Sequence, residues 1–151
     1  METAMPSNPF RAPSAPERMI NRFYGLLVGV GLGLSHSYLL QVRGRKTGRI
    51  YSTPVDLLER DGHRFLVAPR GHTQWVRNAE AAGDVHLKKG RHRQHFRLRS
   101  LAAEEKPAIL KAYLDAFQGE VQRYFPVPAG SPQEAFAGLT ENYPAFELLP
   151  L

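Results

Sequence analysis

Ser37-Tyr38-Leu39-Leu40-Gln41-Val42 and Ile50-Tyr51-Ser52-Thr53-Pro54-Val55-Asp56-Leu57-Leu58-Glu59 are two apolar runs on either side of Gly44-Arg45-Lys46-Thr47-Gly48-Arg49. Runs of this kind around a Gly-bounded turn read as two antiparallel strands. Asp61-Gly62 follows at once and is a two-residue hairpin signal into a third strand over residues 64–68. Thr73 then reads as the N-cap of a short helix over 73–82, ended by Gly83. Residues 84–88 and 91–99 read as a second hairpin around Lys89-Gly90. Beyond it, Ser100 reads as the cap of a further helix. Glu104 and Glu105 lie in its favourable first turns, and Ile109, Leu110, Tyr113, Leu114 and Phe117 form its apolar stripe. A shorter segment after Gly119 runs to Tyr124-Phe125, residues 126–132 are turn-rich, and residues 143–149 close the chain as a strand. Antiparallel hairpins interrupted by helices, with no βαβ repeat, predict a mainly β, α+β fold: a small β-barrel with helices packed around it.

A length of 151 residues suits one domain with a real core. Residues 1–16 hold Pro6, Pro9, Pro13 and Pro16 and little apolar pattern, so a flexible tail is expected there, with a single domain over 17–151. Within it, residues 17 to about 29 read as a helix, with Met19, Ile20, Phe23, Leu27 and Val30 spaced to share a face. That face packs on the core or rests on a lipid surface. The apolar stretch over 23–34 is broken by Gly25, Gly29, Gly31 and Gly33 and falls short of the ~20 residues a spanning helix needs. With no Cys, disulfides and thiolate chemistry are excluded, which fits the cytoplasm. The net charge of +6 favours anionic partners. Arg91, Arg93, His95, Arg97 and Arg99 share one face of the 91–99 strand, but no aromatic residue interleaves with them. They read as a solvated outer face, and nucleic acid is not expected. His92 and His95 point to opposite faces of that strand, so no metal site is expected.

Three cations in the turn at Arg45, Lys46 and Arg49 have a more specific meaning. Gly44 and Gly48 let backbone N–H groups and cationic side chains converge on one anion, which suggests a phosphorylated ligand. The order Gly-Arg-Lys-Thr lacks the Gly-Lys-Thr junction of a nucleotide triphosphate loop. Further on, Thr53-Pro54, then Ala68-Pro69-Arg70-Gly71, then Trp75-Val76-Arg77-Asn78 occur in order. Together, over residues 39–99, these motifs resemble the deazaflavin (F-420)-dependent nitroreductase family, also described as deazaflavin-dependent oxidoreductases.

That resemblance implies a split β-barrel of the FMN-binding type and binding of coenzyme F-420, a deazaflavin with a phosphate and a polyglutamate tail. It implies hydride transfer to a small electrophile: a nitroaromatic, a quinone or another conjugated acceptor. By the same resemblance Gly44, Arg45, Lys46, Thr47, Gly48 and Arg49 hold the phosphate and tail, and Arg70 with Gly71 adds a second anionic contact. Thr53-Pro54 and Ala68-Pro69 lie along the rings, which Trp75, Val76, Arg77 and Asn78 wall and hydrogen-bond. A homodimer is also implied. Two positions depart from the family's pattern. Pro69 stands where several relatives carry Ser, so the proton donor is open, with Tyr124, Tyr143 and His72 as candidates. Tyr51 stands at a position often basic. The alternatives are the same barrel using FMN, and a non-catalytic carrier of a fatty acid or other hydrophobic anion. Peripheral contact with the inner membrane face through the 17–29 helix accompanies either.

Overall fold

A computed structural model describes residues 36–151; the expected tail over 1–16 and helix over 17–29 lie outside the described residues. The described chain forms β1 (Ser37–Arg43), β2 (Ile50–Asp56), β3 (Leu58–Arg60), β4 (His63–Val67), helix α1 (Gln74–Ala82), β5 (Asp84–Lys89), β6 (His92–Ser100), helix α2 (Lys106–Val121) and β7 (Ala145–Pro150). All seven strands join one antiparallel sheet in the order β2-β1-β5-β6-β7-β4-β3. The two edges of that sheet, β2 and β3, are separated in sequence by Leu57 alone. Two residue steps span only about 7 Å, so the edges must meet at Leu57. The sheet therefore curls round into a barrel that is closed there and split elsewhere. This is the expected split-barrel fold with flanking helices.

Leu57 is also where expectation and structure part. Residues 50–59 read as one strand, but the ladder breaks at Leu57, where the chain passes from pairing with β1 to pairing with β4 and the Leu57 N–H is taken by the carbonyl of His36 at 2.8 Å. Leu57 itself is buried with Leu40, Val42, Leu66, Val85, Leu87, Phe96 and Leu148 inside the barrel. The second cluster lies outside, where α2 sets Ile109, Leu110, Tyr113, Leu114, Phe117 and Val121 against Phe65, Val67, Phe136 and Tyr143.

Several boundaries shift for local reasons. Asp61-Gly62 forms the expected tight turn, both residues at positive φ (52° and 80°). Gly83 ends α1 in the left-handed conformation, as its position predicts. Ser100, expected as a cap, is instead the last residue of β6, and α2 begins six residues later at Lys106 with Pro107 in its first turn. The Glu105 carboxylate takes the Ala102 N–H at 2.8 Å and a forked pair of bonds from Arg99. At its other end α2 runs past Gly119 to Val121, because the buried Val121 is worth more than the roughly 1 kcal/mol a helical glycine costs. Residues 133–142, not read as an element, form a 3-10 helix that buries Phe136 and Leu139, three positions apart.

Candidate functional site

The basic turn between β1 and β2 is built largely from its own residues. Gly44 N–H donates to the Arg49 carbonyl, Gly48 N–H to the Gly44 carbonyl, and Arg49 N–H to the Thr47 hydroxyl. Gly48 sits at φ 75° with open space around it, so glycine is required there for backbone conformation. Gly44 is required for a different reason: a Cβ at that position would lie 2.5 Å from the Tyr51 ring. The ring covers Gly44, and the Tyr51 hydroxyl meets Thr47 Oγ1 at 3.2 Å. Tyr51, a departure from the family's pattern, thus braces the turn from below.

The turn is anchored to α1 through one residue. Asn78 Oδ1 accepts from the Arg45 backbone N–H at 3.1 Å and from the Arg45 guanidinium at 2.7 Å, while the same guanidinium donates to Gln74 Oε1 at 3.0 Å. Asn78 is buried, so its carbonyl oxygen is spent on Arg45. Lys46 and Arg49 are exposed on the outer side of the turn.

Beside the turn lies a groove of about 1120 Å³, ample for an extended organic cofactor. One wall is Thr53, Pro54, Val55 and Asp56 of β2; the floor is Val67 at the end of β4 with Ala68, Pro69 and Arg70 after it; the start of α1 contributes Thr73, Gln74 and Trp75. The end of α2 and the 3-10 turn after it, from Gln118 to Tyr124, form the far wall with Tyr113. The β2 wall and the β4 end face each other because the barrel is split between β2 and the β3–β4 pair.

Of the residues expected at the site, Thr53, Pro54, Ala68, Pro69, Arg70, Trp75 and Tyr124 come together in this groove. The turn residues Gly44, Arg45, Lys46, Thr47, Gly48 and Arg49 do not line it; Arg45 reaches its rim through Gln74. Gly71 is buried at φ 84°, and Val76 is wholly buried beside Ala68 and Phe146. Arg77 faces outward on α1. His72 lies off the groove, its Nε2 at 3.3 Å from the Glu141 carbonyl. Tyr143 is fully buried, stacked on Phe125, and its hydroxyl donates to the Tyr124 carbonyl. Burial pushes that phenol well up from its ordinary value, so Tyr143 belongs to the core. Tyr143→Phe is expected to cost about 1 kcal/mol in thermal unfolding, by leaving the Tyr124 carbonyl without its donor, and to leave turnover unchanged.

Two groups on this groove, and a third that joins them, escaped sequence reasoning. Asp56 ends β2 with its side chain only 16% exposed, and Glu120 faces it from α2. His36 bridges the two, Nε2 lying 3.3 Å from Asp56 Oδ1 and 3.2 Å from Glu120 Oε2, with its ring against Phe117. Burial, then the Glu120 charge, pushes the Asp56 carboxyl up to about 6, against the opposing pull of His36 and a hydrogen bond from Ser37. The only local signal was an acid beside the apolar pair Leu57-Leu58; its partners are 20 and 64 residues away.

Residues 16–127 match the model of the F420H(2)-dependent quinone reductase family. The chain belongs to that family. Membership makes it an oxidoreductase and makes reduced F-420 its cofactor, which decides against FMN. Solved structures agree on the fold. An F420-H2-dependent reductase is 21% identical, with a TM-score of 0.51 over 76% of this chain and 94% of that chain. A protein described as a domain-swapped dimer is also 21% identical, with a TM-score of 0.55 over 88% and 92%. A FAD-binding protein of Mesorhizobium loti reaches a TM-score of 0.50 at 14% identity over 93% and 92%. No curated protein matches the chain. Among the described residues, no helix of this family member is long and apolar enough to cross a membrane.

The groove suits the family's coenzyme on structural grounds. Its walls combine the Trp75 indole and proline faces for a flat ring with Arg70 for an anionic group. Thr73 sits at the N-cap position of α1, yet its hydroxyl caps nothing and is buried without a hydrogen-bond partner. A buried hydroxyl without a partner costs stability, and a ligand in the groove can supply the missing bond.

Proposed function

We propose that this protein uses reduced F-420 to reduce a small conjugated acceptor of the quinone type, with the coenzyme in the groove between β2, the β4 end, α1 and α2. The observation that carries this reading is the groove itself: Thr53, Pro54, Ala68, Pro69, Arg70 and Trp75 line one cavity although 22 positions separate the first from the last. When bound, the coenzyme supplies a hydride. The protein supplies orientation. Thr53-Pro54 and Ala68-Pro69 support the ring, Trp75 walls it, and Thr73 offers a hydroxyl. Arg70 and the Gly71 backbone bind an anionic group, while Lys46, Thr47, Gly48 and Arg49 hold the phosphate and tail outside the groove's rim. Asn78 acts through Arg45, setting the turn against α1. The protein is also proposed to pair as a homodimer; Ile50 and Tyr51, exposed apolar residues at the start of edge strand β2, support a contact there.

Titrating purified protein into F-420 should quench the coenzyme's fluorescence at micromolar protein, and adding a soluble naphthoquinone to the reduced complex should restore the oxidised coenzyme's absorbance. Arg70→Ala is expected to weaken binding about tenfold, the worth of one charge-assisted contact. Lys46→Ala, on the exposed tail contact, is expected to weaken it several-fold. Both variants should melt within a few degrees of the parent. Unchanged affinity in both would remove the anion-site argument.

A further inference from the structure

A carbonyl acceptor that receives a hydride is left as an oxyanion, and one proton must follow. Among the groups lining the groove, few can give one. Arginine does not release a proton near neutral pH, and threonine hydroxyls are poorer acids still. The Tyr113 phenol is fully buried and pushed well above its ordinary value, and Tyr143 lies outside the groove with its hydroxyl committed to the Tyr124 carbonyl. The Tyr124 phenol lines the groove, its ring under the Arg123 guanidinium at 4.8 Å, but among the described contacts its hydroxyl makes no hydrogen bond that would aim or resupply a proton. Asp56 has what the task requires. It lies on the groove wall and on the same face of β2 as Pro54, about 7 Å further along the strand. It is mostly buried, yet in contact with a chain of exchangeable groups that leads outward: His36 Nε2 at 3.3 Å, then Glu120 Oε2 at 3.2 Å, with the Glu120 side chain 43% exposed.

We propose that Asp56 is the proton donor of the groove, recharged from solvent through His36, which Glu120 holds in place. This rests on the reading of the groove as the site of F-420-dependent reduction. In the step, the Asp56 O–H bond breaks as an O–H bond forms on the acceptor oxyanion. The neutral alcohol or hydroquinone leaves, and the Asp56 carboxylate regains a proton from His36, which regains its own from water. Asp56 is the catalytic residue. His36 and Glu120 are positioning residues that set its acidity and its link to solvent. The groups facing Asp56 are His36 and Ser37 on the β1 side and Tyr113 and Glu120 on α2. The like charge of Glu120 keeps the proton on Asp56, as does burial, whereas His36 and the Ser37 hydroxyl favour the carboxylate.

Two experiments test this. In the first, quinone reduction is followed from pH 5 to 9 in the parent, Asp56→Asn and Asp56→Glu. The parent's kcat should fall as pH rises through about 6, because the donor must be protonated. Asp56→Asn should lose that limb and about 100-fold in kcat at pH 6, the lower end of what a positioned acid contributes. Its affinity for F-420 should stay within about twofold of the parent's, and Asp56→Glu should restore part of the rate and the limb. In the second, carboxyl-carbon NMR follows Asp56 in the coenzyme-free protein. Its midpoint should fall in Glu120→Gln and rise in His36→Ala. A parent that binds no F-420 overturns this proposal together with the reading beneath it. Normal coenzyme binding with an unchanged kcat and pH limb in Asp56→Asn overturns the proton-donor role alone, as does an Asp56 midpoint insensitive to both neighbours. Loss of turnover on dialysis against EDTA, restored by zinc in the parent but not in His36→Ala, would also overturn it by making the trio a metal site.

Discussion

Asn78→Ala is expected to weaken F-420 binding about 50-fold and to lower unfolding stability by about 2 kcal/mol. Asn78 Oδ1 carries two bonds from Arg45, one from the backbone and one from the guanidinium, and with the Arg45–Gln74 bond these tie the middle of the basic turn to α1. Alanine removes both acceptor bonds at a buried position, and the turn must then be ordered by the ligand itself. The ordering of several residues, at about 1–2 kcal/mol each for the backbone, comes out of the binding free energy. The Gln74 contact survives but is exposed and holds only the guanidinium tip. Asn78→Asp separates the two effects. A carboxylate can still accept from Arg45, so the melting temperature should be kept, while the added negative charge beside the turn should still weaken coenzyme binding. Fluorescence titration and thermal unfolding of both variants check this. An Asn78→Ala protein with the parent's affinity would show that the turn holds its shape unaided.

Glu147→Ala is expected to be the most destabilising change at an ionisable residue, costing about 3 kcal/mol at pH 7. Glu147 is buried on β7 and its two oxygens face different strands: one accepts from His63 Nδ1 of β4 at 2.6 Å, the other from Arg99 Nε and NH2 of β6 at 3.0 and 2.9 Å. Arg99 continues to Glu105 at the start of α2. The figure is kept at the low end of the range for a broken buried pair because Arg99 is 42% exposed and retains Glu105. Desolvation pushes the Glu147 carboxyl up, but hydrogen bonds from His63 and Arg99 win and hold it below its ordinary value. The stabilisation is therefore present above the ordinary glutamate range and is lost as pH falls through the depressed value. Urea unfolding at pH 7 and pH 3 should show the gap between parent and variant narrowing in acid. Since Glu147 does not line the groove, the folded variant should bind F-420 as the parent does.

Much of the architecture could be read along the chain because it rests on neighbours in sequence. Asp61-Gly62 turns because both residues tolerate positive φ, and Gly83 ends α1 for the same reason. The motif set at Thr53, Ala68, Arg70 and Trp75 was legible in another way, through the family resemblance that the ordered motifs carry, although Thr53 lies in the middle of β2 and no local pattern marks it. Leu57 was not. Alternation puts it on the inner face with Val55, but its break in the strand comes from barrel closure, where the chain leaves β1 for β4 and the Leu57 N–H turns to the His36 carbonyl. Gly44 was read as room for an anion, whereas its space belongs to the Tyr51 ring.

What the amino-acid order determined by itself was the series of hairpins, the family and hence the coenzyme, because these depend on short-range backbone preferences and on motifs contiguous in the chain. Only the tertiary structure decided how the pieces serve one another. It committed Asn78 to Arg45, withdrew Tyr143 into the core, and brought Asp56, His36 and Glu120 together at the groove. The physical reason is that a side chain's acidity and hydrogen-bond partners depend on what lies within a few ångströms of it, and curling of the sheet and packing of α2 bring up residues that sequence distance keeps apart.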